Sequence, residues 1–296
     1  MTMPDARDGR DRDAARRAEL GEFLRTRRER LQPEAVGLKR TGRRRTPGLR
    51  REEVAQLAGI SAAWYTWLEQ GREIRVSPEV MHRIADALHL TPDERRHLLL
   101  LADRGVTSGG PFAREAVSPK LRRVLEGMRD LPACVIGPYA ELLAASPAMQ
   151  ALLPPLHEIP GEKRNLLVFV FTSPEVRERL SDRESLAREC LAHFRSVYAA
   201  RVGDPRAERV VARLRRESPE FALWWDRYEL EPAPSGPVVL EHPGAGTLVL
   251  DHVLLSVSES AGLTLGLLSP ADGATRGRIR RLVQAAEHRP AAAAGP

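Results

Sequence analysis

Residues 49–72 read LRREEVAQLAGISAAWYTWLEQGR, and this stretch decides the fold of the first part of the chain. Val54 and Leu57 recur at helical spacing, which predicts one apolar face on a first short helix. Gly59 is the residue type that ends a helix in the left-handed conformation, and Ser61 is a residue type that caps the next helix. The stretch therefore predicts two short helices joined by a tight turn, a geometry that presents a helix to the major groove of DNA.

The second of these helices has a buried face and an outward face. Tyr65 and Leu68 are predicted to be buried. The outward positions carry small or aromatic side chains, namely Ala62, Ala63, Thr66 and Trp67. Two interpretations stay open for Trp67, which either contacts DNA or packs against the basic loop before the helix pair.

The positive charge is concentrated near the helix pair. The chain carries a net charge of +6, and residues 1–104 hold 22 Lys+Arg against 17 Asp+Glu, while the remainder holds 24 against 23. Between Leu38 and Arg51 there is no acid and there are seven basic side chains: Lys39, Arg40, Arg43, Arg44, Arg45, Arg50 and Arg51. Alone, such a run is typical of a solvated loop. Beside a predicted DNA-binding helix pair, it indicates a surface for phosphate groups.

Length and pattern predict two domains. The chain has 296 residues, which is long for one compact domain. Residues 1–15 are charged without an apolar pattern and predict a disordered tail. Five helices, the first from Ala18 to Leu31, form a predicted all-α domain over residues 16–104. The stretch 105–117 contains Gly and Pro and predicts a linker.

Residues 118–288 mix helix and strand patterns, and residues 289–296 read as a tail. Strands are predicted at 133–139, 237–240, 247–257 and 263–268, the last two joined by a hairpin connection over residues 259–262. Helices are predicted at 118–128, 141–153, 166–180, 185–200, 205–217 and 275–287. Strands near both ends with helices between them favour an α+β domain over an alternating parallel sheet.

Several protein classes are not indicated. No run is long enough to span a membrane, and no export signal is seen. Two distant cysteines and eight unclustered histidines argue against a disulfide framework or a metal site. No motif for a nucleophilic serine, a phosphate-binding loop or a zinc protease occurs. We expect a cytoplasmic protein without cofactor, without membrane insertion and without catalytic residues.

The motifs in both halves resemble a known family. The N-terminal part resembles the xenobiotic-response-element class of phage-repressor-like helix-turn-helix domains, and the whole chain resembles the MmyB-like transcription regulators. The resemblance is carried by residues 44–55, 64–72 and 77–88 in the first half, and by residues 131–133, 164–167, 218–224 and 242–243 in the second half.

For the first domain, the resemblance places Ala62, Ala63, Thr66 and Trp67 toward the major groove. Methyl groups can meet thymine methyls but form no bidentate bonds with base edges, so much of the sequence preference is expected from methyl contacts and DNA shape. Arg51 takes the place of a residue that contacts the DNA backbone. We assign phosphate contacts to Arg43, Arg44, Arg45, Arg50 and Arg51. In such folds an arginine of the first helix pairs with a glutamate, which predicts a partly buried Arg28–Glu69 ion pair.

For the second domain, the resemblance implies a PAS-like ligand-binding module that can hold a fatty acid. Candidate ligand contacts are Arg164, Asn165, Arg195, Trp224 and His242, although core packing is the better explanation for Trp224 and a local hydrogen bond the commoner role for His242. The sequence thus predicts a transcription regulator, expected as a homodimer on a double-stranded DNA operator, that senses a fatty acid or other apolar small molecule. The alternative is a second domain that binds another protein and no small ligand.

Overall fold

A computed structural model of the chain describes residues 6–38, 47–103, 116–153, 159–161, 164–228, 236–258 and 262–288. The chain divides into two compact units. The first comprises Met1–Gly110 together with Arg195–Arg215 and Phe221–Glu231, and the second comprises the remaining segments. Two segments from the predicted second domain thus belong to the first unit. The predicted linker, hairpin connection and C-terminal tail fall largely outside the described residues.

The described residues of the N-terminal part form five α-helices, which confirms the predicted all-α domain. They are α1 (Ala6–Arg30), α2 (Arg51–Ala58), α3 (Ala62–Glu69), α4 (Pro78–Ala87) and α5 (Pro92–Ala102). Local chemistry sets their ends: the Ser61 side chain accepts a hydrogen bond from the backbone of Trp64, and Gly59 ends α2 with a φ of 65°.

Helix α1 begins at Ala6, so the prediction of a disordered tail over residues 1–15 is wrong for the residues that the structure describes. Arg16 forms an ion pair with Asp13 along the helix at 3.0 Å and donates to the Asp103 carbonyl at 2.7 Å. Gly203 lies so close to α1 that a Cβ there would stand 3.0 Å from the Arg12 Cα. The first turns of α1 thus contact residues that lie far away in sequence, and the local sequence pattern does not reveal such contacts.

Eight further helices are described later in the chain: α6 (Pro119–Gly127), α7 (Pro147–Leu152), α8 (Leu166–Thr172), α9 (Pro174–Arg179), α10 (Arg183–Ala199), α11 (Pro205–Glu217), α12 (Pro219–Asp226) and α13 (Gly273–Glu287). No described helix has the length and apolar character needed to cross a bilayer.

The second unit contains a five-stranded antiparallel sheet. Its strands are β1 (Ala133–Ile136), β2 (Leu142–Ala145), β3 (Val238–His242), β4 (Gly246–Ser256) and β5 (Thr264–Pro270), in the spatial order β2-β1-β5-β4-β3. Ala133 and Val135 share a core with Leu125 of α6, while Cys134 and Ile136 pack with Met149 of α7. Alternate residues of β1 therefore pack into two different hydrophobic cores. The antiparallel sheet together with its helices confirms the predicted α+β domain.

Two predicted helices of this unit are interrupted. The stretch 141–153 forms strand β2 and then helix α7, and the stretch 166–180 forms the separate helices α8 and α9. The cause is the pair Ser146-Pro147 and, likewise, Ser173-Pro174. In each pair the serine side chain caps the next helix and the proline occupies its first turn. A proline disfavours helical backbone in the residue before it, so a new element starts there.

Candidate DNA interface and ligand cavity

Helix α3 presents the outward face that the sequence indicated. Ala63 and Trp67 are exposed, Ala62 and Thr66 are half-buried, and Tyr65 and Leu68 are buried. The Thr66 hydroxyl donates to the Ala62 carbonyl at 2.8 Å, so its proton is used within the helix. Trp67 keeps 39% of its surface exposed, and Leu57 of α2 keeps 40%. The outward face therefore carries methyl groups and an indole.

The basic residues before α2 are described only in part. Arg43, Arg44 and Arg45 lie outside the described residues. Arg50 caps α2 with its backbone: its N–H donates to Glu53 Oε2 at 2.7 Å while the side chain is exposed. Arg51 is the first residue of α2, where the helix dipole also favours an anion.

A buried carboxylate lies behind this surface. Glu69 Oε1 accepts from Arg28 Nε at 2.5 Å, and Glu69 Oε2 accepts from Arg51 Nε at 2.6 Å. The side chains of Arg28 and Glu69 are 4% and 1% exposed, so this pair is more buried than expected. Burial lowers the pKa of Arg28, but the hydrogen bond and charge of Glu69 outweigh it and raise that pKa above its usual value. Arg28 also donates to the Leu49 carbonyl at 2.9 Å.

Two of the predicted ligand contacts belong to the first unit instead. Arg195 is fully buried, with its guanidinium carbon 3.9 Å from the centre of the Trp225 ring and 4.4 Å from that of Tyr228. Its Nη1 lies 3.9 Å from Glu19 Oε1. Burial lowers the pKa of Arg195 to about 10, although the charge of Glu19 opposes this shift. Trp224, also buried, lies in the same helix as Trp225.

The second unit contains a partly open, largely apolar cavity of about 400 Å³. Its wall comes from β1, β2, β3 and helices α7 to α10. The apolar lining includes Cys134, Leu142, Ala145, Met149, Leu152, Leu166, Phe169, Val176, Leu186 and Leu240. Three charged or titratable side chains complete the lining, and these are Glu175, Arg179 and His242. The volume falls in the range of ordinary small-molecule sites, about 300–1,000 Å³.

Among the five predicted ligand contacts, His242 lines this cavity and the other four are absent from its described lining. The Nδ1 of His242 accepts from the backbone N–H of Gly244 at 3.1 Å, the local hydrogen bond that the sequence left open. Burial, followed by the nearby charge of Arg179, lowers the pKa of His242. The imidazole is therefore neutral at pH 7.

Asn165 and Arg164 have other surroundings. Asn165 caps α8, since its Oδ1 accepts from the backbone of Val168 at 3.2 Å while its Nδ2 donates to the Tyr139 carbonyl at 2.6 Å. Arg164 donates to the Ile159 carbonyl at 2.9 Å and lines a separate polar hollow of about 320 Å³.

Arg179 is not among the ligand contacts predicted from the sequence. This arginine is half-buried, and no ion pair is recorded for it within the described part of the chain. A signal was present, because Arg179 lies three residues after the buried Val176 in a short helix and so shares its face. That spacing places a cation in a wall that is largely apolar.

Comparison with known protein families gives two matches. A family described as the MmyB-like transcription regulator ligand binding domain matches residues 117–282. A helix-turn-helix domain family matches residues 19–98. No curated protein matches the chain. The helix-turn-helix match covers the α2–α3 pair, and the ligand-binding match covers the sheet and the cavity.

Proposed function

Since the chain belongs to the MmyB-like transcription regulators and is a DNA-binding transcription regulator, we propose that its second unit senses a small apolar ligand with an anionic end group, such as a fatty acid. The ligand occupies the cavity, and occupancy changes the affinity of the helix-turn-helix domain for its operator. The observation that carries this proposal is the apolar cavity with Arg179 in its wall.

The lining supports a ligand with a long apolar part. Desolvation of an acyl chain by leucine, methionine and phenylalanine side chains is favourable, at about 25 cal/mol for each Å² removed from water. A buried carboxylate needs a partner, because an unpaired charge in an apolar site is costly. Arg179 supplies that partner. Glu175, which also lines the cavity, accepts from the Ser173 hydroxyl at 2.5 Å and is exposed, so water screens its negative charge.

On DNA, we assign the groove contacts to Ala62, Ala63, Thr66 and Trp67 of α3. The phosphate contacts are assigned to the arginines that precede and begin α2, that is Arg43, Arg44, Arg45, Arg50 and Arg51. Phosphate contacts fix the register of a protein on the duplex, while the methyl groups and the indole provide sequence preference. Binding is expected to weaken steeply with salt.

We further propose a homodimer, because helix-turn-helix proteins commonly read two half-sites related by a dyad. The alternative for the second unit is a protein-binding module without a small ligand. The two functions differ in what the cavity contains in the purified protein.

Native mass spectrometry of the full chain, followed by lipid extraction, tests the ligand proposal. We expect a bound species with the mass of a fatty acid. Cys134→Phe places a larger side chain in the cavity wall and should abolish that species. Val124→Phe adds the same group at an exposed position of α6 and should retain it. A wild-type protein free of any bound acid that also rejects added palmitate would favour the protein-binding alternative.

A further inference from the structure

Glu69 accepts hydrogen bonds from arginines of two different helices. It is the last residue of α3, and its carboxylate is 1% exposed. One oxygen binds Arg28 of α1, whereas the other accepts from Arg51 Nε at 2.6 Å and from Arg28 Nη2 at 3.2 Å. The Arg28 side chain is 4% exposed, but that of Arg51 is 41% exposed. One carboxylate thus joins a buried cation to a cation at the surface.

The Arg51 guanidinium has two usable edges. Within the described residues, its Nε donates to Glu69 Oε2. The opposite edge, formed by the two Nη groups, matches the spacing of two phosphate oxygens. Since Glu69 is held from behind by Arg28, it is a fixed anchor, and an anchored guanidinium loses less side-chain freedom when it binds a phosphate.

We propose that Glu69 is a positioning residue for DNA binding, which holds the Nε edge of Arg51 so that its Nη edge meets a backbone phosphate. This role goes beyond the fold-stabilising pair with Arg28. It rests on the phosphate contact assigned to Arg51 above. Glu69 itself touches no DNA and acts through Arg51.

The chemistry restricts which side chains satisfy this arrangement. Lysine at position 51 carries the same charge but is a point donor, so it does not hold a carboxylate and a phosphate with two fixed edges. Glutamine at position 69 keeps the shape of the side chain but loses its charge. Its amide NH2 group would face an arginine N–H, and two donors cannot form a hydrogen bond with each other. Either change should leave Arg51 or its replacement poorly oriented.

A double-mutant cycle on DNA binding tests the proposal. The probe is a labelled duplex of arbitrary sequence, read by fluorescence anisotropy over a series of salt concentrations, because phosphate contacts do not depend on sequence. We expect Arg51→Ala to weaken binding about tenfold and to lower the salt slope by about 1. Glu69→Gln should weaken binding about threefold to tenfold, with no further loss when it is added to Arg51→Ala.

Matched variants separate orientation from loss of fold. Arg28→Gln removes the buried cation behind Glu69, so its loss of stability should be similar. At temperatures where circular dichroism shows it folded, it should weaken binding less than Glu69→Gln does, because Arg51 keeps its carboxylate partner. Arg51→Lys alters an exposed side chain and should fold normally while binding about as weakly as Arg51→Ala.

Three results would overturn this account, and they differ in meaning. If Arg51→Ala binds like the wild type, the assigned phosphate contact itself fails. If Arg51→Ala weakens binding but the Glu69→Gln effect adds to it in full, the contact stands and the positioning role fails. If Arg51→Lys binds like the wild type, charge alone suffices and no fixed edge is needed.

Discussion

His97 predicts a pH-dependent loss of stability in the first unit. It is 1% exposed, and neither ring nitrogen has a hydrogen-bond partner among the described residues. Its ring packs edge-on against Phe23 with 5.0 Å between centroids. Burial, then the charges of Arg195 and Arg27, lower its pKa well below the usual value of 6.5. The folded protein therefore holds His97 neutral.

The sign and size of the effect follow from linkage. Below pH 6.5 the unfolded chain binds a proton at this histidine and the folded chain does not, so stability falls as the pH falls. Because the folded protein holds His97 neutral, lowering the pH from 7.5 to 5 costs about 2 kcal/mol from this one group, which is the free energy gained by protonating the histidine of the unfolded chain. His97→Phe removes the titration while keeping an aromatic ring beside Phe23.

Urea unfolding at pH 7.5 and pH 5 measures this contribution as a difference between proteins. The loss of stability on acidification should be about 2 kcal/mol smaller in His97→Phe than in the wild type. His82→Gln, which changes an exposed histidine of α4, should leave the wild-type pH dependence nearly unchanged. Equal pH dependence in His97→Phe and the wild type would refute the argument that this buried ring stays neutral.

Three further changes have expected outcomes. Gly21→Ala should cost about 3 kcal/mol of unfolding free energy, because its Cβ would lie 2.4 Å from the Glu69 carbonyl oxygen; Gly9→Ala in the same helix, with open space around it, should be neutral or stabilising by urea titration. Arg195→Ala should lower the free energy of unfolding by about 3–5 kcal/mol, since it leaves a buried space empty and Glu19 without its cation. A loss under about 1 kcal/mol by the same urea titration would contradict this. Arg179→Gln should weaken palmitate about tenfold by calorimetry while hexadecanol binding stays constant; an equal effect on both would show that Arg179 does not bind the carboxylate.

The parts of the fold that the sequence predicted correctly are set by local chemistry. The helix pair α2–α3 depends on Gly59 and Ser61, whose roles are readable from residue type and spacing. The serine–proline pairs are equally visible in the sequence. The prediction nevertheless gave more weight to the apolar runs at residues 141–153 and 166–180 and placed a single helix over each. There the steric effect of proline on the preceding residue determines the break.

The ligand site was harder to predict, because the type of an apolar or charged residue does not reveal in which part of the fold its side chain is buried. Arg195 and Trp224 match a carboxylate site by composition, but both belong to the first unit, where Arg195 packs on the ring of Trp225 in α12. Arg179 lines the cavity because it lies on the face of the short helix α9 that borders the cavity. Which residues lie on that face depends on where α9 starts. Only the assembled backbone distinguishes these arginines.

The central claim is that occupancy of the cavity changes DNA binding. The most direct measurement compares the affinity of delipidated and palmitate-loaded full-length protein for the DNA upstream of its own gene. We expect a difference of about fivefold or more, the usual range of allosteric coupling, and its loss in Cys134→Phe but not in Val124→Phe. Equal affinities for delipidated and loaded wild-type protein, with palmitate shown to be bound, would contradict the account.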